Sequence, residues 1–345
     1  MFGLAPSAGA SSTSSSTGPW SCTPGAQRPK AGSPLTIAWG GGAVQTGFVA
    51  KVNPALDKAE KLKVTYSGGS SATQMAQNVA EGGKSGYDLL FSSIPSYNLG
   101  VEADVLSPLR MSFLAKEAAT SATRLNAGLG MGVALNTTSY GVAYNPAVLA
   151  KDGLPTPTDV QDLWNPIYRG VLGMYVPPYS SGIQMIAIVT HLLGGKPSNQ
   201  QVGINKLAPL AKYATLASSL SDMETAVAGG KVGIWFETSG AANAMNAQGL
   251  NVKMVFPTNQ TFGIDILATI PTRSTNKGGA CDALAWLLSK TGNYTLASVV
   301  GNKPIRPGVP NPPGLAPTSV SSITPLLQGA PSSESFTQMW NEATS

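Results

Sequence analysis

Trp235 and Glu237 stand two residues apart in the run Val232-Gly233-Ile234-Trp235-Phe236-Glu237, and Asp265 sits between Ile264 and Ile266. An aromatic face beside a carboxylate can hold an ammonium group, through cation–π attraction and a charge-assisted hydrogen bond. A carboxylate among apolar neighbours needs a partner, because burying an isolated charge is costly. Trp235 is equally compatible with core packing. A second cluster, Tyr179-Ser180-Ser181-Gly182, opens an apolar helical run. Free backbone N–H groups and hydroxyls there suit an anionic group, although an ordinary serine N-cap gives the same sequence.

Catalytic and metal chemistry find little support. The single histidine, His191, lies among Ile188, Val189, Leu192 and Leu193, and no Gly-x-Ser-x-Gly elbow supplies a nucleophile for it. Cys22 and Cys281 are the only cysteines, so a zinc-type site is excluded, and the pair is either one disulfide or two thiols. No close acidic pair sits at a strand end. Gly83-Lys84-Ser85 ends like a phosphate-binding loop, but Asn78 replaces the leading glycine. The expectation is binding without catalysis, with no cofactor and no metal.

Composition narrows the partners. Charged residues make up 11% of the 345 residues, against about 25% in an average domain. That balance suits a secreted protein. The net charge is +5, but the 22 basic residues are scattered singly, so no nucleic-acid footprint is present. The longest mainly apolar stretch, residues 183–194, falls short of the roughly 20 residues that a membrane span needs.

The elements that must position these side chains alternate. Residues 1–33, rich in serine and then proline, form a flexible leader, with order beginning at Pro34. Leu35-Thr36-Ile37-Ala38-Trp39, Leu62-Lys63-Val64-Thr65-Tyr66 and Asp88-Leu89-Leu90-Phe91 are strands separated by helical stretches; one of these is capped by Ser70 or Ser71 and buries Met75, Ala76 and Val79. Strand–helix–strand order implies a parallel sheet, and such sheets bind ligands at the carboxyl ends of their strands. Gly41, Gly42, Ser92 and Ser93 occupy two of those ends. Further strands cover 140–145, 171–176, 232–236, 252–256 and 264–270. Helices cover 181–193 and 280–288, and the chain ends in a tail, residues 311–345, with a helix around Phe336 and Trp340.

Taken in order, several segments resemble the periplasmic substrate-binding proteins of polyamine-type and related ABC importers. They are Leu35-Thr36-Ile37-Ala38-Trp39-Gly40-Gly41, Tyr87-Asp88-Leu89-Leu90, Tyr140-Gly141-Val142-Ala143-Tyr144-Asn145, Asp162-Leu163-Trp164-Asn165-Pro166-Ile167-Tyr168-Arg169-Gly170, Val232-Gly233-Ile234-Trp235 and Gly263-Ile264-Asp265. The resemblance covers about residues 34–310. It implies a two-lobed α/β fold of the type II periplasmic-binding-protein kind, with a hinge and an interlobe cleft. One lobe would hold 34–136 plus 266–310, and the other 137–265. The cleft would be lined by Gly41, Gly42, Ser92, Ser93, Tyr179, Ser180, Ser181, Trp235, Glu237 and Asp265, with Asp265 where polyamine binders place an amine-binding aspartate. Polyamine binders carry further carboxylates before the helix at Gln184-Met185, where this chain has Pro177-Pro178-Tyr179-Ser180-Ser181. An amine paired with an anionic group, such as an aminophosphonate, is therefore expected beside a polyamine. Iron-binding relatives use adjacent tyrosines late in the chain, and no Tyr-Tyr pair is present. The expected protein is a periplasmic or secreted monomer that closes on a small solute and serves the permease of an ABC importer. An enzyme or a sensor-receptor on the same scaffold is the alternative.

Overall fold

The computed structural model describes residues 22–25, 29–109, 130–257, 260–312, 320–327 and 329–345. Its strands are β1 (Ser33–Trp39), β2 (Leu62–Gly68), β3 (Leu89–Ser92), β4 (Val133–Tyr144), β5 (Leu172–Tyr175), β6 (Ala214–Ala217), β7 (Ile234–Thr238), β8 (Lys253–Val255), β9 (Phe262–Thr269), β10 (Lys303–Pro304) and β11 (Ser321–Ser322). They pair in the order β2-β1-β3-β9-β4-β7-β5-β6, with β10 and β8 added on β4 and β11 on β9. The architecture is the expected two-lobed α/β fold.

Each lobe has the same logic. β1 runs parallel to β2 and β3, and β5 runs parallel to β6 and β7, so helices must carry the chain back across the sheet between neighbours. β1 reads apolar because both its faces are covered, with Leu35, Ile37 and Ala38 wholly buried. The helix Asn53–Glu60 stops at Lys61, which adopts a left-handed conformation (φ 55°) and turns the chain into β2.

Two antiparallel strands, β4 and β9, pass between the lobes. Residues Val133 to Ser139 of β4 pair with β9, and Tyr140 to Tyr144 pair with β7. The sequence suggested a strand only from Tyr140, because Asn136, Thr137, Thr138 and Ser139 look like loop residues. They are bonded within the fold instead. Asn302 Nδ2 donates to Asn136 Oδ1, Gly240 N to Thr138 Oγ1 at 3.1 Å, and Ser139 N to Ser239 Oγ at 3.1 Å. Each of these bonds stays within one lobe, Asn136 held by the first and Thr138 and Ser139 by the start of the helix Ser239–Ala247 in the second, so the strand is anchored on both sides of the crossing.

The helix Ser71–Ala80 shows how local rules and tertiary demand divide. Ser70 is its N-cap, accepting from Thr73 N at 3.3 Å. Met75 is buried as expected, but Ala76 is exposed, and Gln74 and Asn78 face inward. The reason is supply of donors: Gln74 Nε2 donates to Ser67 O at 2.8 Å and to Trp39 O at 3.3 Å, closing the loops after β1 and β2. Ser70→Ala should cost about 1 kcal/mol, read as a lower denaturation midpoint with unchanged slope.

Both ends of the described body are fastened. Cys22 is wholly buried and bonded to Cys281 on the helix Lys277–Leu287, so the folded body begins no later than Cys22. Most of the expected leader lies outside the described residues. The helix Ser333–Thr344 packs on Gln201–Leu207 of the second lobe and buries Phe336 and Trp340.

Candidate functional site

Strand periodicity builds the first part of the site. Trp235 and Glu237 lie on one face of β7, and β5 runs beside it in parallel with Gly173 opposite Trp235. Tyr175, two residues on, therefore reaches Glu237. Its hydroxyl donates to Glu237 Oε2 at 2.7 Å, Trp235 Nε1 donates to the same oxygen at 3.0 Å, and Thr238 N donates to Oε1 at 2.8 Å. Around this carboxylate Tyr179 packs on Tyr175 with ring centres 5.0 Å apart. Tyr140 donates to Gln184 Oε1, and Ser181 lies close enough to Tyr140 and Tyr179 to influence their titration.

Electrostatically the cluster is one-sided. Glu237 is buried and its named partners are neutral, so loss of hydration pushes its pKa up to about 7, against the pull of its hydrogen bonds. Burial, followed by the Glu237 charge, raises Tyr140, Tyr175 and Tyr179 and keeps them protonated.

Trp235 takes the packing alternative. It is fully buried with Met223, Val232 and Met245 in a satellite core of the second lobe, and presents its N–H to Glu237 rather than a ring face to solvent. Ser181 is buried at the start of the helix Ser180–Leu192, beside the tyrosines. Asp265 lies on β9 opposite Thr137 and accepts from its hydroxyl. Ser92 closes β3 with a buried hydroxyl that has no hydrogen-bond partner among the described residues, and Ser93 contacts Ser96 at 3.4 Å. Gly41 abuts the turn at Gly68 and Gly69, while Gly42 takes φ +63° to start the helix Ala43–Gly47.

The second part of the site is a cavity of about 750 Å³ between the lobes, within the range of small-molecule sites. Of the residues singled out in the sequence, Gly42 lines it. Gln45, Lys51 and Ser298 continue the wall on the first lobe; Glu224, Asn243 and Gln248 form the wall on the second. Asn243 Nδ2 donates to Val299 O at 3.1 Å, a direct tie between the walls. Glu224 is half-buried, accepts from Gln248 Nε2 at 2.8 Å, and is raised in pKa by burial. Its charge is also felt by Tyr175 and Tyr179, so cavity and tyrosine cluster adjoin. Sequence reasoning missed Glu224. The available signal was the Ser219 cap followed by Met223, Ala226 and Val227 at helical spacing, which places a helix over Leu220–Ala228.

A hinge strand, paired α/β lobes and a cavity walled by both define a two-lobed binding protein. The bacterial extracellular solute-binding protein profile matches residues 48–319, and the chain belongs to that family. Such proteins bind small solutes outside the membrane for delivery to ABC permeases. Solved structures of similar fold include iron-bound HitA from Pseudomonas aeruginosa (20% identity, 90% of this chain and 99% of that one, TM-score 0.69). AfuA from Actinobacillus pleuropneumoniae, with fructose-6-phosphate, is similar at 17% identity over 90% of this chain and 97% of its own, TM-score 0.71. AgtB from A. tumefaciens R10, with agropinic acid, is similar at 16% identity over 90% and 98%, TM-score 0.67. Identities this low establish the fold and leave the solute open. No curated protein matches this chain by sequence.

Proposed function

We propose that this protein captures a small amine-bearing solute, a polyamine-like chain or an amine joined to an anionic group, by closure of its lobes about β4 and β9. The closed form then serves the permease of an ABC importer, and the solute is released unchanged. The observation that carries the reading is the acidic wall of the interlobe cavity. Glu224 lines a cavity large enough for such a solute, makes no ion pair among the described residues, and accepts a hydrogen bond from the neutral Gln248 amide. A half-buried carboxylate without a cation is worth more to an incoming ammonium than an exposed one, because fewer waters compete for it.

Closure follows from the same geometry. A solute touching both walls has more interaction energy in the closed form than in the open one, and that difference shifts the population.

The test is a thermal-shift and calorimetry panel of putrescine, spermidine, 2-aminoethylphosphonate and 4-aminobutyrate, with glucose and sulfate as amine-free controls. A probe at 100 times its dissociation constant should add about 2.7 kcal/mol of stability and raise the melting temperature. Glu224→Gln should weaken the amine-bearing probes about tenfold. A panel in which only the amine-free compounds stabilise the protein would overturn the amine assignment, while leaving the family intact.

A further inference from the structure

The wall of the cavity opposite Glu224 has its own chemistry. It is built by the segment that leaves β1 through Gly42, which brings Gln45 and Lys51 to the cavity, and by the end of the helix Lys290–Val300, which brings Ser298 and Val299. Lys51 makes no ion pair among the described residues, so its ammonium is a charge without a fixed partner at the cavity. The Ser298 hydroxyl in the same wall is shielded from solvent and has no hydrogen-bond partner there. A buried polar group left unpaired is costly, and a ligand oxygen that reaches it as the walls close removes that cost.

Resting on the amine reading above, we propose that Lys51 and Ser298 form an anion pole, so that the solute is zwitterionic and bridges the lobes, its ammonium on Glu224 and its anionic group on Lys51. The two poles belong to different lobes. A compound with only an amine touches the second lobe alone and gains little from closure; a compound with both charges contacts both walls only when the cleft shuts. Opposite charges on opposing walls thus make closure depend on the whole solute, and select against plain polyamines, whose second ammonium would meet Lys51. The class that fits is an amine joined by a short chain to a carboxylate, phosphonate or phosphate.

The experiment compares 2-aminoethylphosphonate and 4-aminobutyrate with ethylamine, ethylphosphonate and putrescine, by calorimetry and by the radius of gyration in solution scattering. Wild-type protein should bind at least one zwitterion ten times more tightly than every single-charge probe, and should contract only with that zwitterion. Lys51→Met, at an exposed position that leaves the fold intact, should remove most of that advantage without changing the weak binding of ethylamine. Ser298→Ala should weaken the zwitterion by a smaller factor. If putrescine binds best and Lys51→Met strengthens it, the amine reading stands and the anion pole is overturned. The anion pole is equally overturned if Lys51→Met leaves the zwitterion within twofold of wild type. If no amine-bearing probe binds, both fall.

Discussion

Replacing Cys22 and Cys281 by serine should lower the stability of this protein by about 4 kcal/mol. The bond joins residues 259 apart in sequence, so in the unfolded chain it closes a very long loop. Closing a loop of 100 residues removes entropy worth roughly 4.7 kcal/mol in the chain model, and measured effects usually fall below the calculated one. Native contacts add to the bond. Cys22 is fully buried, and Gly25 N donates to Asp282 Oδ1 at 2.7 Å, so the segment is held at two adjacent points on the helix Lys277–Leu287. That helix packs on β1 and the helices of the first lobe, which places both ends of the crosslink on one lobe. Affinity for the solute should therefore stay within twofold in the double-serine variant, while the denaturation midpoint drops and the slope rises as the freed chain expands. An unchanged midpoint would mean that the crosslink contributes nothing beyond packing. The location fits the bond, since disulfides persist in the oxidising space outside the cytoplasm.

Glu237→Gln should abolish most of the pH dependence of stability between pH 4.5 and 7. The folded protein holds this carboxyl with a pKa of about 7, against 4.5 for the free group, because burial disfavours its charged form. The native state therefore binds more protons than the unfolded state across that window, and stability falls as pH rises through it. The shift corresponds to about 3 kcal/mol, complete above pH 7 and absent below 4.5. The groups facing Glu237 are Tyr175, Trp235 and Thr238 by hydrogen bond, with Tyr140 and Tyr179 near; all are neutral in this range, so the titration belongs to Glu237. Glutamine keeps one acceptor oxygen and never ionises, so the variant should lose most of the slope, with the remainder belonging to other shifted carboxyls such as Glu224. A wild-type profile that rises across the window would show Glu237 charged from acid pH upward and compensated by a cation. At the cavity, burial raises the pKa of Glu224 as well, so its protonation as pH falls removes the charge an ammonium needs, and amine affinity should fall with pH.

Much of the scaffold was legible. β1 and β3 are short apolar runs and β2 alternates, each closed by glycine or serine, and their order with intervening helices implies parallel pairing. Ser70 advertised a helix start. The elements that escaped notice share a cause. β6 is a half-exposed edge strand with no apolar run to mark it. Residues 136–139 of β4 are mostly buried but polar, because they hydrogen-bond to neighbouring segments of each lobe rather than fill a core. The helices Leu220–Ala228 and Ser239–Ala247 carry weak apolar stripes, since each buries only a narrow face, and they bring Glu224 and Asn243 to the cavity.

For the site, the sequence alone determined the parity of side chains: Trp235 and Glu237 must share a face of their strand, because a strand alternates with period two. It also determined that Gly42 follows the end of β1, where a parallel sheet opens toward ligand. Only the tertiary structure decided whether the shared face met solvent or core. Met223, Val232 and Met245 cover Trp235, and Tyr175 arrives from a strand some sixty residues earlier to bond Glu237. Burial is set by what packs against a face, and those partners come from distant parts of the chain that local periodicity cannot register.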